Sequence, residues 1–444
     1  MTSPYNDSRH GMKKALIISY YWPPSAGAGV QRWLKFSKYL REFGWEPVVY
    51  VPEGAEYQHE DPSLQADVPP GMQMLKTRIR EPYRLYKLIT GKSGREKVQP
   101  GFLSEQRSAG LAEGFATWIR GNFFIPDARR SWIRPSIKFL SNWLMENRID
   151  AMISTGPPHS MHLIALGLKK QFNIPWLADF RDPWTQIDFY HKLRLTRLAD
   201  KKHRRLERQV LLSADRVVTV SDNCGAGLQE ISGRPVDVVT NGYDPDDFRE
   251  IPSYDHQKFS LTHLGLMNAD RNPVALWDAL ASLVADVEGF SGHLEVKLIG
   301  KTDFRVGESL RSRHLDPYVN DLNYLPHDRA LAEAGNSAIL LLPLNNTPNV
   351  RGIAPGKLYE YLALQRPILC IGPPDGDVAA ILEETGSGFT AGFGETEKIR
   401  TRLEEWYRRF RQQGLQRLET NAGKYARPAL TGRLAAILDE ILTE

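Results

Sequence analysis

"ALIISYYWPPSAGAGVQRWLKF", Ala15–Phe36, runs from an apolar strand through aromatics, two prolines and small residues into a helix. The strand is Ala15–Ile18, and the helix is expected from about Val30, with Trp33, Leu34 and Phe36 in its apolar pattern. A glycine-rich turn between a strand end and a helix start often meets a ligand with its backbone, commonly a phosphate. Gly27 and Gly29 could belong to a dinucleotide fingerprint, with Glu53 after the second strand as the ribose acid. Three features oppose that reading. Arg32 occupies the third glycine position, six residues separate Tyr20 from Gly27, and Pro23-Pro24 forbids the tight fingerprint turn. What stays open is a plain loop or a loop that faces a ligand cleft.

Short apolar runs alternate with helical patterns along the rest of the chain, which predicts parallel sheets flanked by helices. The first half offers six strands: "ALIISY", "EPVVYV", "AMISTG", "PWLADF", "RVVTVS" and "PVDVVT". A second set follows: "SLTHLG", "LEVKLIG", "VNDLNYL", "AILLLPL", "PILCIG" and "GFTAG". Between the sets lies "NGYDPDDFREIPSYDHQK", Asn241–Lys258, polar and aperiodic, read as an interdomain linker. Its acidic "DPDD" reads as a capped turn rather than a metal motif. The expected organisation is a tail over 1–11, one doubly wound Rossmann-like domain over 12–245 and a second over 246–425. Two such sheets imply a cleft between their carboxyl ends. The segment "LITGKSGREKVQPG" reads as a mobile surface loop.

Composition sets the outer bounds. The chain has 444 residues, 41% hydrophobic and 25% charged, with a net charge of +4. Nothing in that balance points to nucleic acid. Basic residues do cluster from Lys76 to Lys138 and again in "DKKHRRLERQ", Asp200–Gln209. Cys224 and Cys370 cannot build a disulfide framework or a cysteine-rich zinc site, and they fit a reducing compartment. Cys370, within "PILCIG", reads as a buried inert thiol. No apolar run reaches the length of a membrane span and no signal peptide is read, so the expected location is cytoplasmic. Between Arg120 and Leu144, Phe123, Phe124, Trp132 and Trp143 interleave with Arg120, Arg129, Arg130, Arg134 and Lys138. Either this is a crossover helix packed on its own sheet, or it is a surface that lies reversibly against anionic lipid at the inner face of the cytoplasmic membrane.

Several strand ends carry candidate chemistry. In "NNTPNVRGIAPGKLYEYLALQRPILCIG", Asn345–Gly372, a Gly/Pro loop leads into a short helix from about Gly356. Lys357 and Glu360 share one face of it, and Lys357 stands in the first turn, where free N–H groups favour an anion. That arrangement suits a sugar nucleotide, the cation on the diphosphate and the carboxylate on the ribose. A plain surface Lys–Glu pair fits the spacing equally well. "THLGLMNADRNP", Thr262–Pro273, ends a strand in Gly265 and puts Arg271, a bidentate phosphate ligand by type, beside a helix start. "STGPPHS" sets His159 just past a strand end, to meet a phosphate or sugar hydroxyl or to cap the next helix. "ADFRDPW" does the same for Arg181 and Asp182, which could line the cleft or pair with each other.

In order along the chain, "YYWPPSAGAGVQR", "STGPPHS", "ADFRDPW", "VTVSDN", "TNGYD", "HLG…RNP" and "PGKLYEYLALQRPIL" resemble a GT-B glycosyltransferase, similar to the retaining family 4 enzymes of bacterial cell-envelope synthesis. The resemblance implies a GT-B fold, α/β, with two doubly wound Rossmann-like domains facing each other across a cleft. It implies a last helix, 426–444, that crosses back to the first domain. It implies transfer of a sugar from a nucleotide-diphosphate donor to a glycan or lipid-linked acceptor, without cofactor or metal. Gly27, Gly29, Gly265, Arg271, Gly352, Pro355, Gly356, Lys357 and Glu360 would then bind the donor. His159, Arg271 and Lys357 would serve catalysis, and Arg181 and Asp182 would stand on the acceptor side. Two positions depart from the pattern: Leu266 replaces the basic residue after Gly265, and Gly352 falls where the first motif glutamate belongs. Front-side attack would let the donor phosphate accept the acceptor's proton while cations stabilise the leaving diphosphate. The rival readings are a nucleotide-sugar epimerase, a non-catalytic sugar-nucleotide binder and a Rossmann dehydrogenase.

Overall fold

The computed structural model describes residues 11–57, 59–79, 111–187, 190–249, 254 and 257–443. The expected tail, apart from Gly11, and the loop expected at 88–101 lie outside them. The chain divides into two compact units, Met1–Thr240 with Leu430–Glu444, and Asn241–Ala429.

Seven strands build the sheet of the first unit: β1 Lys13–Ile18, β2 Trp45–Glu53, β3 Gln73–Arg78, β4 Ala151–Gly156, β5 Trp176–Phe180, β6 Arg216–Thr219 and β7 Asp237–Val238. Their order is β3-β2-β1-β4-β5-β6-β7, and all pairs are parallel. β4 and β5 are buried along their whole length, which is why they read as continuous apolar runs. The sequence pattern offered six strands here. It passed over β3, because "QMLKTR" sits at the sheet edge with one face to water and carries Lys76 and Arg78. It also overdrew "PVDVVT", of which only Asp237 and Val238 pair.

The second unit holds β8 Phe259–Leu264, β9 Leu294–Ile299, β10 Val319–Asn323, β11 Ile339–Pro343, β12 Ile368–Ile371 and β13 Gly388–Ala391. Their order is β10-β9-β8-β11-β12-β13, again parallel throughout. In each sheet the winding reverses beside its first strand, between β1 and β4 and between β8 and β11. Loops leaving those strand ends diverge and open a crevice. Asp244 caps the turn Pro245–Phe248 by accepting from the Asp246 amide at 3.1 Å.

The helix Arg130–Leu144 separates the basic-aromatic segment into two faces. Trp132, Ser136 and Leu140 are buried, and the Trp132 ring stacks on Tyr50 at 4.9 Å and 5°. Arg129 is also buried, with its guanidinium over the Tyr20 ring at 4.4 Å and bonded to the Tyr20 hydroxyl at 3.0 Å. Neither residue can lie on lipid. Arg130, Arg134 and Lys138 remain exposed at four-residue spacing, and Phe123 is 58% exposed.

One buried ion pair ties the first sheet to its first helix. Asp179, in β5, accepts from Arg32 at 2.9 Å, Trp33 Nε1 at 2.6 Å and Thr155 Oγ1 at 2.8 Å, with both charged side chains out of water. Burial alone would push the carboxyl up, but the Arg32 charge and these donors hold it below the usual range. Removing one partner strands the other, so Asp179→Ala or Arg32→Ala should destabilise by about 3–5 kcal/mol. Urea unfolding should find Asp179→Leu/Arg32→Met less destabilised than either single variant; additive losses would contradict the pairing.

Candidate active site

At the carboxyl edge of the second sheet, β8 ends in Leu264 and the chain turns at Gly265, whose φ is +92°. Gly300, just past β9, has φ +126°, and a Cβ there would lie 2.6 Å from the Gly265 carbonyl oxygen. Both positions need glycine, and the two backbones lie against each other with no side chain between them. Over this bare backbone comes Lys357 from the first turn of the helix Gly356–Leu364. Its Nζ donates to the Leu264 carbonyl and lies 3.4 Å from His263 Nε2. Pro355, at the helix N-cap, supplies no side-chain cap, so the first amides have no partner within the helix.

Arg271 reaches the same edge from the turn Ala269–Arg271, donating to Asn345 Oδ1 at 3.0 Å and to the Leu266 carbonyl at 2.9 Å. Asn345 follows β11 and Leu266 follows β8, so this guanidinium bridges the switch point. Neither Arg271 nor Lys357 bonds a carboxylate among the described residues. Burial, with the Arg271 charge adding to it, brings the Lys357 amine down from 10.5 to about 7; Glu360 opposes this. Burial also lowers Arg271 and, together with the Lys357 charge, holds His263 neutral. Glu360 is near enough to be felt by Lys357, but its Oε1 bonds His327 Nε2 at 3.1 Å. A spacing compatible with a plain Lys–Glu surface pair thus gives two separate partnerships.

In the first unit Arg181 plays the part that Arg271 plays in the second. It donates to the Gly29 carbonyl at 2.7 Å, past β1, and to the Pro157 carbonyl, past β4. A Cβ on Gly29 would lie 3.2 Å from that guanidinium and 3.0 Å from the Tyr21 ring, so the small residue makes room for Arg181. Gly27 caps the helix Ala28–Tyr39 at φ +96°. Pro24 and Ala26 bond the backbone of Asp61 and His59, which pins the loop. The opening stretch is therefore a fixed loop at the switch point. The Asp182 charge opposes the lowering of Arg181 by burial.

His159 is the N-cap of the helix Ser160–Phe172, but its side chain does not cap it. Asp127 does, accepting from Ser160 N and Oγ at 2.8 Å each. The imidazole instead stacks on Trp184, 4.7 Å between centroids and 2° between planes, with Nδ1 buried and unpartnered. Burial, then the His162 and Arg181 charges, keep it neutral. It lines a cavity of about 280 Å³ with Tyr21, Arg120, Phe124, Asp182 and Trp184.

The expected site residues therefore fall in two places. Gly265, Arg271, Pro355, Gly356, Lys357 and Glu360 gather at the second sheet's edge, with Gly352 in the preceding turn, Val350–Gly352. Gly27, Gly29, His159, Arg181 and Asp182 gather in the first unit. Sequence reasoning missed Asp179, Arg32 and His263. Asp179, the lone charge in the otherwise apolar run "WLADF", was the available signal, since it must find a partner once buried.

Two parallel sheets of seven and six strands, each with glycine-lined loops at its switch point, place the chain in the GT-B fold class. Residues 95–247 match the family model described as Glycosyltransferase Family 4. Sucrose-phosphate synthase from Thermosynechococcus elongatus shares the fold with a TM-score of 0.60 at 11% identity, over 97% of this chain and 99% of that one. A trehalose-6-phosphate protein from E. coli, bound with UDP-2-fluoro glucose, gives 0.53 at 11% identity over 97% of each chain. WaaG, a glycosyltransferase involved in lipopolysaccharide biosynthesis, gives 0.50 at 13% identity over 96% of this chain and 99% of that one. Among curated proteins none matches this sequence.

The Lys357 amine sets a pH signature for anion binding. With its folded pKa near 7 and its ordinary value at 10.5, the ligand-free protein lacks a proton that the unfolded chain binds between them. Stability should therefore rise with pH across that window. A bound diphosphate favours the ammonium, so binding above pH 7 should take up a proton. Affinity for a nucleoside diphosphate should then fall by up to about tenfold per pH unit. Calorimetry in buffers of differing ionisation enthalpy reads the proton directly. Lys357→Ala should abolish the pH dependence and, like Arg271→Ala, weaken binding by about 1.5–3 kcal/mol. Unchanged affinity in both variants would contradict the placement.

Proposed function

We propose that the chain is a glycosyltransferase that moves a sugar, with retention, from a nucleotide-diphosphate donor to a glycan or lipid-linked acceptor. The observation that carries this reading is the pair Lys357 and Arg271 at the bare backbone of Gly265, without a bonded carboxylate. In this proposal the diphosphate lies on the two cations and the first amides of the helix Gly356–Leu364. Glu360 Oε2 takes the ribose, since Oε1 is engaged by His327. The cations, rather than a metal ion, supply the positive charge that lets the diphosphate leave. The family match and the E. coli neighbour bound with UDP-2-fluoro glucose support a sugar-nucleotide donor.

The acceptor is assigned to the first unit's cavity. Trp184, Tyr21 and Phe124 offer ring faces to a sugar, and neutral His159 and Asp182 offer hydrogen bonds to its hydroxyls. A cell-envelope acceptor carried on lipid would bring the enzyme to a membrane surface. No helix among the described residues is long and apolar enough to cross a membrane. The exposed stripe Arg130, Arg134 and Lys138, with Phe123 near its start, is the surface we assign to reversible docking on anionic lipid.

Two experiments test these assignments. Incubation with a panel of nucleotide sugars and lipid-linked acceptors, followed by NMR of the product, should find a new glycoside with the donor's anomeric configuration, also in excess chelator. An epimerised nucleotide sugar without glycoside, or activity restored only by a divalent metal, would refute the reading. For docking, each basic residue near an anionic surface contributes about 1 kcal/mol. Co-sedimentation with phosphatidylglycerol vesicles should therefore drop on adding salt and in Arg130→Glu/Arg134→Glu/Lys138→Glu. Equal recovery with neutral and anionic vesicles would end the docking idea.

A further inference from the structure

A second cavity, of about 320 Å³, opens at the opposite edge of the second sheet. Pro367 precedes β12 and Gly386–Gly388 lead into β13, so this is the amino-terminal edge, away from Lys357. One wall is the helix Thr396–Gln413, whose Arg402, Trp406, Arg409 and Gln413 line the cavity at spacings of four, three and four. Those spacings set the four side chains on one stripe. The other wall is the segment after that helix, which brings Arg417. The floor is nearly bare. Gly386 is left-handed at φ +64°, and a Cβ on Gly388 would run into the Ile368 carbonyl.

Arg402, Arg409 and Arg417 thus line one space, and its lining includes no Asp or Glu. Arg402 packs over the Phe389 ring at 4.5 Å and meets Glu405 outside the lining at 3.2 Å. Beside the cavity Arg366 is buried, donating to the Leu415 carbonyl at 2.9 Å. Burial and then the Arg417 charge bring its guanidinium down to about 10. A fourth cation thus adds to the positive field. Guanidiniums match the oxygens of phosphate in pairs. Phe389 and Trp406 give the same space an apolar ring wall. We propose that this cavity binds a small phosphate ester that carries a ring, with the phosphate on Arg402, Arg409 and Arg417 and the ring against Phe389 and Trp406. The site is separate from the donor site and does not depend on the proposed activity.

The test uses phenyl phosphate and inorganic phosphate as probes in calorimetry on the full chain, with nucleoside diphosphate present to occupy the other sheet edge. Phenyl phosphate should bind more tightly than inorganic phosphate. Arg409→Glu and Arg417→Glu change exposed side chains, and each should weaken phenyl phosphate by about tenfold or more, the loss of one charge-assisted contact. Nucleoside diphosphate affinity and thermal midpoint should stay as in the unaltered protein. Absence of phenyl phosphate binding, or binding equal in both variants, would overturn the proposal. So would binding lost in Lys357→Ala instead, which would put the ester at the donor edge. Retention on phosphatidylglycerol vesicles that both variants lose, without binding of either soluble probe, would assign the arginines to a lipid headgroup and likewise overturn it.

Discussion

Lys357 and Arg271 are held in each other's field at the end of the second sheet, and neither bonds a carboxylate among the described residues. Packing sets this arrangement. Tyr361, buried one helical turn beyond Lys357, accepts from the Leu264 amide at 2.9 Å and so fixes the helix to the end of β8. Gly265 and Gly300 keep the backbone open where the amine lies. A protein that gained nothing from two buried cations here would be more stable with one of them neutral. The amine's descent to about 7 records that cost. Strongly shifted groups at a strand-end crevice are a mark of function.

The first unit resolves the same problem in the opposite way. Arg32 is answered by Asp179, and Arg181 by two backbone carbonyls. His159 and His162 stay neutral, His162 at about 3, because burial leaves an imidazolium no solvent and the nearby arginine repels it. The first crevice is thus closed in charge and lined with rings, suited to a neutral, hydroxyl-rich molecule. The second is open in charge and suited to a diphosphate. This difference is the physical reason for placing acceptor and donor as we do.

Most of this architecture was legible in the sequence. Buried parallel strands such as β4, β11 and β12 are short apolar runs that end in glycine, proline or a polar residue, and such runs are hard to misread. β3 was not legible, because an edge strand with a wet face loses that pattern. His159 and Arg271 were found by their positions after strand ends, and Lys357 by its place in the first turn of a helix. The roles of their neighbours were not. Asp127, 33 residues before Ser160, caps the helix that His159 seemed placed to cap, and His327 engages Glu360 from another helix. Contacts between residues distant in sequence leave no periodic trace. The cationic cavity of the second unit escaped for the same reason, since Arg417 joins the stripe on Thr396–Gln413 only after the chain turns at Gly414.

The most direct measurement is a crystal structure with a nucleoside diphosphate bound. The account predicts the β-phosphate within hydrogen-bonding distance of Lys357 Nζ and the Arg271 guanidinium, over Gly265, with the ribose toward Glu360. A diphosphate seated in the first unit, or on the second with Lys357 still turned to the Leu264 carbonyl and out of reach of phosphate, would contradict it.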